Sequence, residues 1–193
     1  MIILPEDLEI LRADLWPKTQ FYDKQWEVVE STLTNRETYV PAGNQLGKDF
    51  VAAFIATGSF LLCQIRGIAC RIVTTSIAEH HLKVLWGEIG RFLSTARRPL
   101  LGNMVVMNYH ELRRREEAEA KNPINYLIGR VSEKGEGLAG HHAEFTMLIG
   151  DEASGIDDHV YAMGQGWAKH MLFIGNPNPC KNFFRRAVEA GDR

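Results

Sequence analysis

The segment Ala42-Gly43-Asn44-Gln45-Leu46-Gly47-Lys48-Asp49 constrains this chain more than any other. A short strand over 37–42 leads into it, and a long, mostly apolar helix over 47–65 leaves it. A glycine-bearing turn in that position aims successive backbone N–H groups outward at the positive end of a helix, which makes a concave nest for phosphate. Glycine lets the backbone approach the anion with no side chain in the way. Lys48 adds a mobile point charge for the outer phosphates. Two positions depart from the usual G-x-x-x-x-G-K-[ST] spacing. Ala42 stands at the first glycine, with Gly43 one step later. Asp49 replaces the hydroxyl that normally meets Mg²⁺. A carboxylate also ligates that ion, directly or through water, but it adds negative charge beside a triphosphate. The plainer alternative is an ordinary strand-to-helix turn with a surface lysine.

The rest of the chain supplies the alternation such a turn needs. Residues 6–16 and 21–33 read as amphipathic helices, 68–75 as a strand, and 78–97 as a helix with Leu82, Leu85, Ile89 and Phe92 on one stripe. Weaker strands are expected at 103–108 and 125–131, and stronger ones at 143–150 and 171–175. A final helix is expected over 183–190. Strands that read as apolar runs between helices predict an α/β fold, with a mainly parallel sheet sandwiched by helices. The charged stretch 110–123 reads as a solvated helix or excursion. The 193 residues suffice for one domain. We read 1–35 as an N-terminal helical segment and 36–180 as the core.

Composition narrows the function classes. Hydrophobic residues are 45% and charged residues 24% of the chain, which excludes disordered and low-complexity classes. A formal net charge of -2 excludes nucleic-acid binding by bulk electrostatics, so any such contact needs a local patch. Cys63, Cys70 and Cys180 are scattered, which argues against a disulfide framework or a zinc site. No apolar run reaches about 18 residues, so no membrane-spanning helix is expected. The N-terminus lacks the basic start of a signal peptide.

Three further motifs belong with the phosphate turn. Phe145–Gly150 runs straight into Asp151-Glu152, and in a parallel sheet ligands sit outside the carboxyl ends of the strands. Asp151 therefore falls at the rim that carries Lys48, 103 residues upstream. There Asp151 can hold the Mg²⁺ shell, and Glu152 can polarise a water for in-line attack on a γ-phosphate. The alternative is a helix start, which favours both acids. Phe173-Ile174-Gly175 ends in Asn176, placed to touch the γ-phosphate or the attacking water; the alternative is a Gly/Asn/Pro turn. Upstream, Phe21-Tyr22-Asp23-Lys24-Gln25-Trp26 offers the Gln25 amide, a donor and acceptor together that match an adenine edge; the alternative is a helix with Phe21 and Trp26 in the core.

These four elements, in this order, resemble the ATPase motor domain of viral large terminase subunits, the DNA-packaging motors of tailed phages. FYDKQW looks like their adenine motif, GNQLGKD like their divergent Walker A, LIGDEASGI like their Walker B with catalytic glutamate, and GNPNP like their coupling motif. SEKGEGLAGHHAEF looks like their glycine-rich approach to Walker B. The resemblance implies an ASCE-type P-loop NTPase fold and Mg²⁺-dependent ATP hydrolysis driving double-stranded DNA into procapsids. It also implies a homo-oligomeric ring working with a portal protein and a small terminase subunit, in the host cell cytoplasm and without a membrane. Carried over by residue, Gln25 reads adenine. Ala42, Gly43, Asn44, Gln45, Leu46, Gly47 and Lys48 surround the nucleotide, Lys48 with a catalytic role. Asp49 and Asp151 serve Mg²⁺, Glu152 is the catalytic carboxylate, and Asn176 couples hydrolysis to motion. The sequence departs from the family in lacking an arginine within Walker A and before Gly140, which leaves the arginine finger unassigned, with Arg130 as a candidate. The nuclease domain that follows in full-length large terminases is expected to be absent. The rival readings are another P-loop nucleic-acid translocase and a nucleotide-binding assembly module with little hydrolysis of its own.

The remaining features read plainly. His80-His81 and His141-His142 are expected to be solvated or satisfied rather than metal ligands. Arg113-Arg114-Arg115 pair with the acids that follow. Thr74-Thr75-Ser76 lie where translocases contact nucleic acid, or else cap a helix.

Overall fold

The computed structural model describes residues 2–43, 46–131, 138 and 140–191. Asn44, Gln45 and most of the approach segment 132–139 lie outside the described residues, and with them the roles expected there. The elements run α1 (Pro5–Leu15), α2 (Asp23–Thr34), β1 (Glu37–Pro41), α3 (Lys48–Arg66), β2 (Cys70–Ser76), α4 (Glu79–Thr95), β3 (Val105–Asn108), β4 (Glu111–Arg114), β5 (Tyr126–Val131), β6 (Phe145–Asp151), α5 (Asp158–Gln165), β7 (His170–Gly175) and α6 (Phe183–Ala190). The strands form one sheet in the order β1-β7-β6-β2-β5-β4-β3. The first five are parallel, while β4 and β3 run antiparallel.

Side chains alternate across the strands, and both faces are covered. Ile72, Met147, Ile149, Leu172 and Ile174 enter the core under α1, α3 and α4. Val73, Leu148, Met171 and Phe173 enter the core under α5 and α6. This is why β6 and β7 read as near-continuous apolar runs. Helix α3 is apolar on nearly all sides because it is covered on nearly all sides. By length and composition it would cross a bilayer, yet 78% of its apolar window is buried within the fold. Phe54 on α3 is fully buried and meets Trp16, Phe21 and Phe92 with ring centroids 4.6–6.0 Å apart. Truncating such a ring to alanine costs about 3–5 kcal/mol.

Two expectations about secondary structure are corrected. The charged stretch 110–123 is not a solvated helix or simple excursion: Glu111–Arg114 is a sheet strand, with Leu112 fully buried. Of the expected pairings with the acids that follow, Arg114 meets Glu116 at 3.5 Å, while Arg113 turns back to Glu111 at 2.7 Å. Helix α5 is an element the periodicity does not reveal.

Candidate nucleotide and metal site

Register brings the functional strand ends level. Pro41 of β1 pairs with Gly175 of β7, Ile174 of β7 with Asp151 of β6, and Gly150 of β6 with Thr75 of β2. The Ala42 N–H donates to the Gly175 carbonyl at 3.0 Å, so the phosphate turn departs from the sheet beside the end of β7. Gly47 ends that turn in the left-handed region (φ 74°), and a Cβ there would lie 2.6 Å from Gln25 Nε2. Glycine meets both demands. Helix α3 starts at the next residue, with Lys48 and Asp49 in its first turn.

Lys48 Nζ donates to Asp151 Oδ1 at 2.9 Å and to Glu152 Oε1 at 2.7 Å. The sequence therefore pointed to a lysine and an acidic pair that the structure joins directly. Burial works against the ammonium, but the hydrogen bond to Glu152 and the charge of Asp151 outweigh it and hold its pKa above the ordinary lysine value. Asp49 shares this pocket. Burial first, then the charge of Asp151, pushes its carboxyl above the usual carboxylate range, with Lys48 countering in part. One cation thus faces three carboxyl groups.

Glu152 occupies the left-handed region (φ 54°, ψ 46°), which costs a residue with a side chain free energy unless its surroundings enforce it. Those surroundings are specific. The Glu152 N–H donates to Asp151 Oδ1 at 2.8 Å. From β7, a Cβ on Gly175 would lie 2.8 Å from the Ala153 nitrogen, so only glycine lets β7 end so close under this loop. From the other side, Asn182 Nδ2 donates to the carbonyls of Ala153 at 2.8 Å and Ile156 at 2.7 Å, tying the loop to the start of α6. From β2, Ser76 Oγ donates to the Asp151 carbonyl at 3.1 Å.

That last contact corrects the reading of Thr74-Thr75-Ser76. All three are buried, Thr74 accepting from Trp86 Nε1 at 3.0 Å, so they neither face a nucleic acid nor cap α4. Asn182 has no signal in the sequence, and Ser76 holds a carbonyl rather than the nucleic acid or helix start expected of it. Their role comes from which elements adjoin, and no local spacing signals it.

A cavity of about 700 Å³ opens beside the phosphate turn. Tyr22, Gln25, Ala42, Leu46, Gly47 and Lys48 are among its lining residues. The Tyr22 hydroxyl donates to the Leu46 carbonyl, and Gln25 Nε2 makes a longer contact to it at 3.4 Å. Gln25 is thus brought to the phosphate turn, 21 residues downstream. Asn176 follows β7 on the same rim, half-buried. Arg130 lies exposed near the end of β5, opposite Thr75. His141 is satisfied as expected, its Nδ1 2.5 Å from the Tyr126 hydroxyl. His81 is not a detached histidine: it lies beside Asp151 and Glu152.

The donor set suits Mg²⁺, which takes oxygen ligands. Asp49 and Asp151 offer carboxylates, and Asp49 Oδ1 is buried without a hydrogen-bond partner, an acceptor left for a cation or its water.

A phosphate turn between strand and helix, acids at the end of a second parallel strand and one strand between the two define a P-loop NTPase fold of the ASCE type. The sequence matches no protein-family model and no curated protein. Solved structures do match, phage large terminases among them. The ATPase domain of the Thermus phage P74-26 large terminase aligns in a mutant form with a TM-score of 0.65 and in another structure with 0.59. Both are 16% identical to this chain and cover 86% of it, over 69% and 68% of their own lengths. The large terminase of bacteriophage HK97 aligns with a TM-score of 0.63 at 12% identity over 97% of this chain. The chain spans 42% of that protein's length. The likeness at such identity is one of fold.

Proposed function

We propose that this chain is an ATP-hydrolysing motor domain of a phage DNA-packaging terminase, translocating double-stranded DNA into procapsids. The observation that carries the reading is the Lys48 bridge to Asp151 and Glu152 at the mouth of a phosphate turn, in the fold of large terminase ATPase domains. ATP enters with its base in the cavity beside Tyr22 and Gln25 and its phosphates over Gly43–Lys48. Lys48 leaves the two carboxylates for the phosphates. Asp151 and Asp49 would hold Mg²⁺, which would screen the phosphate charge. Glu152 orients and polarises the attacking water. Asn176, at the end of β7, reports loss of the γ-phosphate to the segment beyond it. The ring of copies, the portal protein, the small terminase subunit and the host cytoplasm belong to the same proposal.

Asp49 favours a second reading, a nucleotide-binding assembly module with little hydrolysis, because it places a third acid where a hydroxyl is usual. Hydrolysis of Mg²⁺-ATP across protein concentrations, wild type against Glu152→Gln, separates the two. Turnover abolished by the substitution supports the motor. A specific rate that climbs with concentration supports an arginine supplied by a neighbouring copy, worth about 10³–10⁵ in turnover. Equal rates in both proteins would remove Glu152 from catalysis.

A further inference from the structure

The rim holds one more group with ligand chemistry. After Ser76, β2 gives way within three residues to α4, which carries His81 in its first turn. A ring nitrogen of His81 and carboxylate oxygens of Asp151 and Glu152 all lie within 4.8 Å of one another. Asp151 is buried, and the other two are half-buried. Beside these carboxylates a cation is already accommodated, because the Lys48 ammonium bridges them at 2.9 and 2.7 Å. The His80 ring lies against His81, centroids 4.0 Å apart.

We propose that His81, Asp151 and Glu152 form a binding site for a first-row transition dication of the Co²⁺ class in the nucleotide-free protein. Three ligand atoms about 2.1 Å from a shared ion lie about 3.0–3.6 Å apart in the usual geometries, so the three need to close by up to about 1–2 Å. Two carboxylates alone would serve Mg²⁺. The imidazole changes the preference, because nitrogen suits the transition ions while Mg²⁺ keeps to oxygen and water. The ion takes the place of the Lys48 ammonium, which frees that side chain. The site shares its two carboxylates with the nucleotide reading but does not need ATP.

The test titrates nucleotide-free protein with Co²⁺, followed by its visible absorption and by calorimetry, and repeats the calorimetry with Mg²⁺. Wild type, His81→Ala, His81→Gln and His80→Ala are compared, with circular dichroism as the check on folding. We expect one Co²⁺ site whose affinity falls at least about tenfold in both His81 variants, as for a disturbed metal ligand set. It stays unchanged in His80→Ala, and Mg²⁺ affinity stays within about twofold throughout. No Co²⁺ site in the wild type, or equal Co²⁺ affinity in wild type and the folded His81 variants, overturns the proposal. Binding of a fluorescent ATP analogue with Mg²⁺ is measured alongside. If the analogue fails to bind while the Co²⁺ site depends on His81, the nucleotide reading falls and the metal site stands.

Discussion

Replacing Lys48 by methionine asks whether one cation holds the rim together. The Lys48 side chain is 7% exposed, Asp151 2% and Glu152 16%. Removing one member of a buried ion pair costs about 3–5 kcal/mol, because the partner's charge stays buried without compensation. Glu152 is more open to water and adds less, and methionine regains the desolvation of the ammonium, so the lower end applies. At about 2–4 °C per kcal/mol for a chain of this size, Tm falls by roughly 6–12 °C. The pH dependence has a definite sign. Burial and Asp151 already hold the Asp49 carboxyl above its ordinary value, and Lys48 opposes them. Without Lys48 it rises further. An acid whose folded pKa is raised costs nothing below its unfolded value, about 3.9, and costs stability as pH climbs through the folded one. The deficit of Lys48→Met should therefore be smallest near that lower limit and largest at neutral pH. Glu152→Gln is the control: it removes one of three negative charges, keeps the Lys48–Asp151 pair and should melt near wild type. Calorimetric melts of nucleotide-free protein from mildly acid to neutral pH read this out. A methionine variant within about 2 °C of wild type at neutral pH, or a deficit that grows toward acid, would refute the reasoning.

Three further predictions follow from the same contacts. Asp49→Asn should raise Tm at neutral pH, with the gain vanishing as pH falls below the ordinary carboxylate range, because the cost it removes exists only above that range. Gly175→Ala forces a Cβ to 2.8 Å from the Ala153 nitrogen; it should cost about 1–3 kcal/mol in denaturant melts and lower turnover more than nucleotide affinity. Asn182→Asp keeps the oxygen that caps α6 at Arg185 but turns the donor facing the Ala153 and Ile156 carbonyls into an acceptor. Steady-state kinetics should show kcat falling with KM near wild type, while circular dichroism stays unchanged; an equal loss in both constants would place Asn182 in general stability instead.

What the sequence made legible was set by burial. β6 and β7 are covered on both faces, so each prints a near-continuous apolar run that gives way to a polar residue, and those ends carry Asp151, Glu152 and Asn176. Lys48 and Gly47 are legible for the related reason that a strand-to-helix turn with this glycine has few other uses. β4 is hidden because three of its four residues are charged and only Leu112 is buried. α5 is hidden because eight residues with Val160 and Gly164 as the buried pair print no stripe. The same physics hides the supports of the site. Ser76 lies 75 residues from the carbonyl it holds, and Asn182 lies 29 and 26 from its two. Each acts through a neighbour chosen by sheet order, and sheet order is fixed by crossovers that leave no period in the sequence. His81 shows the consequence most sharply. As one of two adjacent histidines it looks solvated, and only the pairing of β2 with β6 sets it beside two carboxylates. Residues that perform the proposed chemistry could thus be read from where apolar runs stop, whereas residues that hold or tune them required the fold.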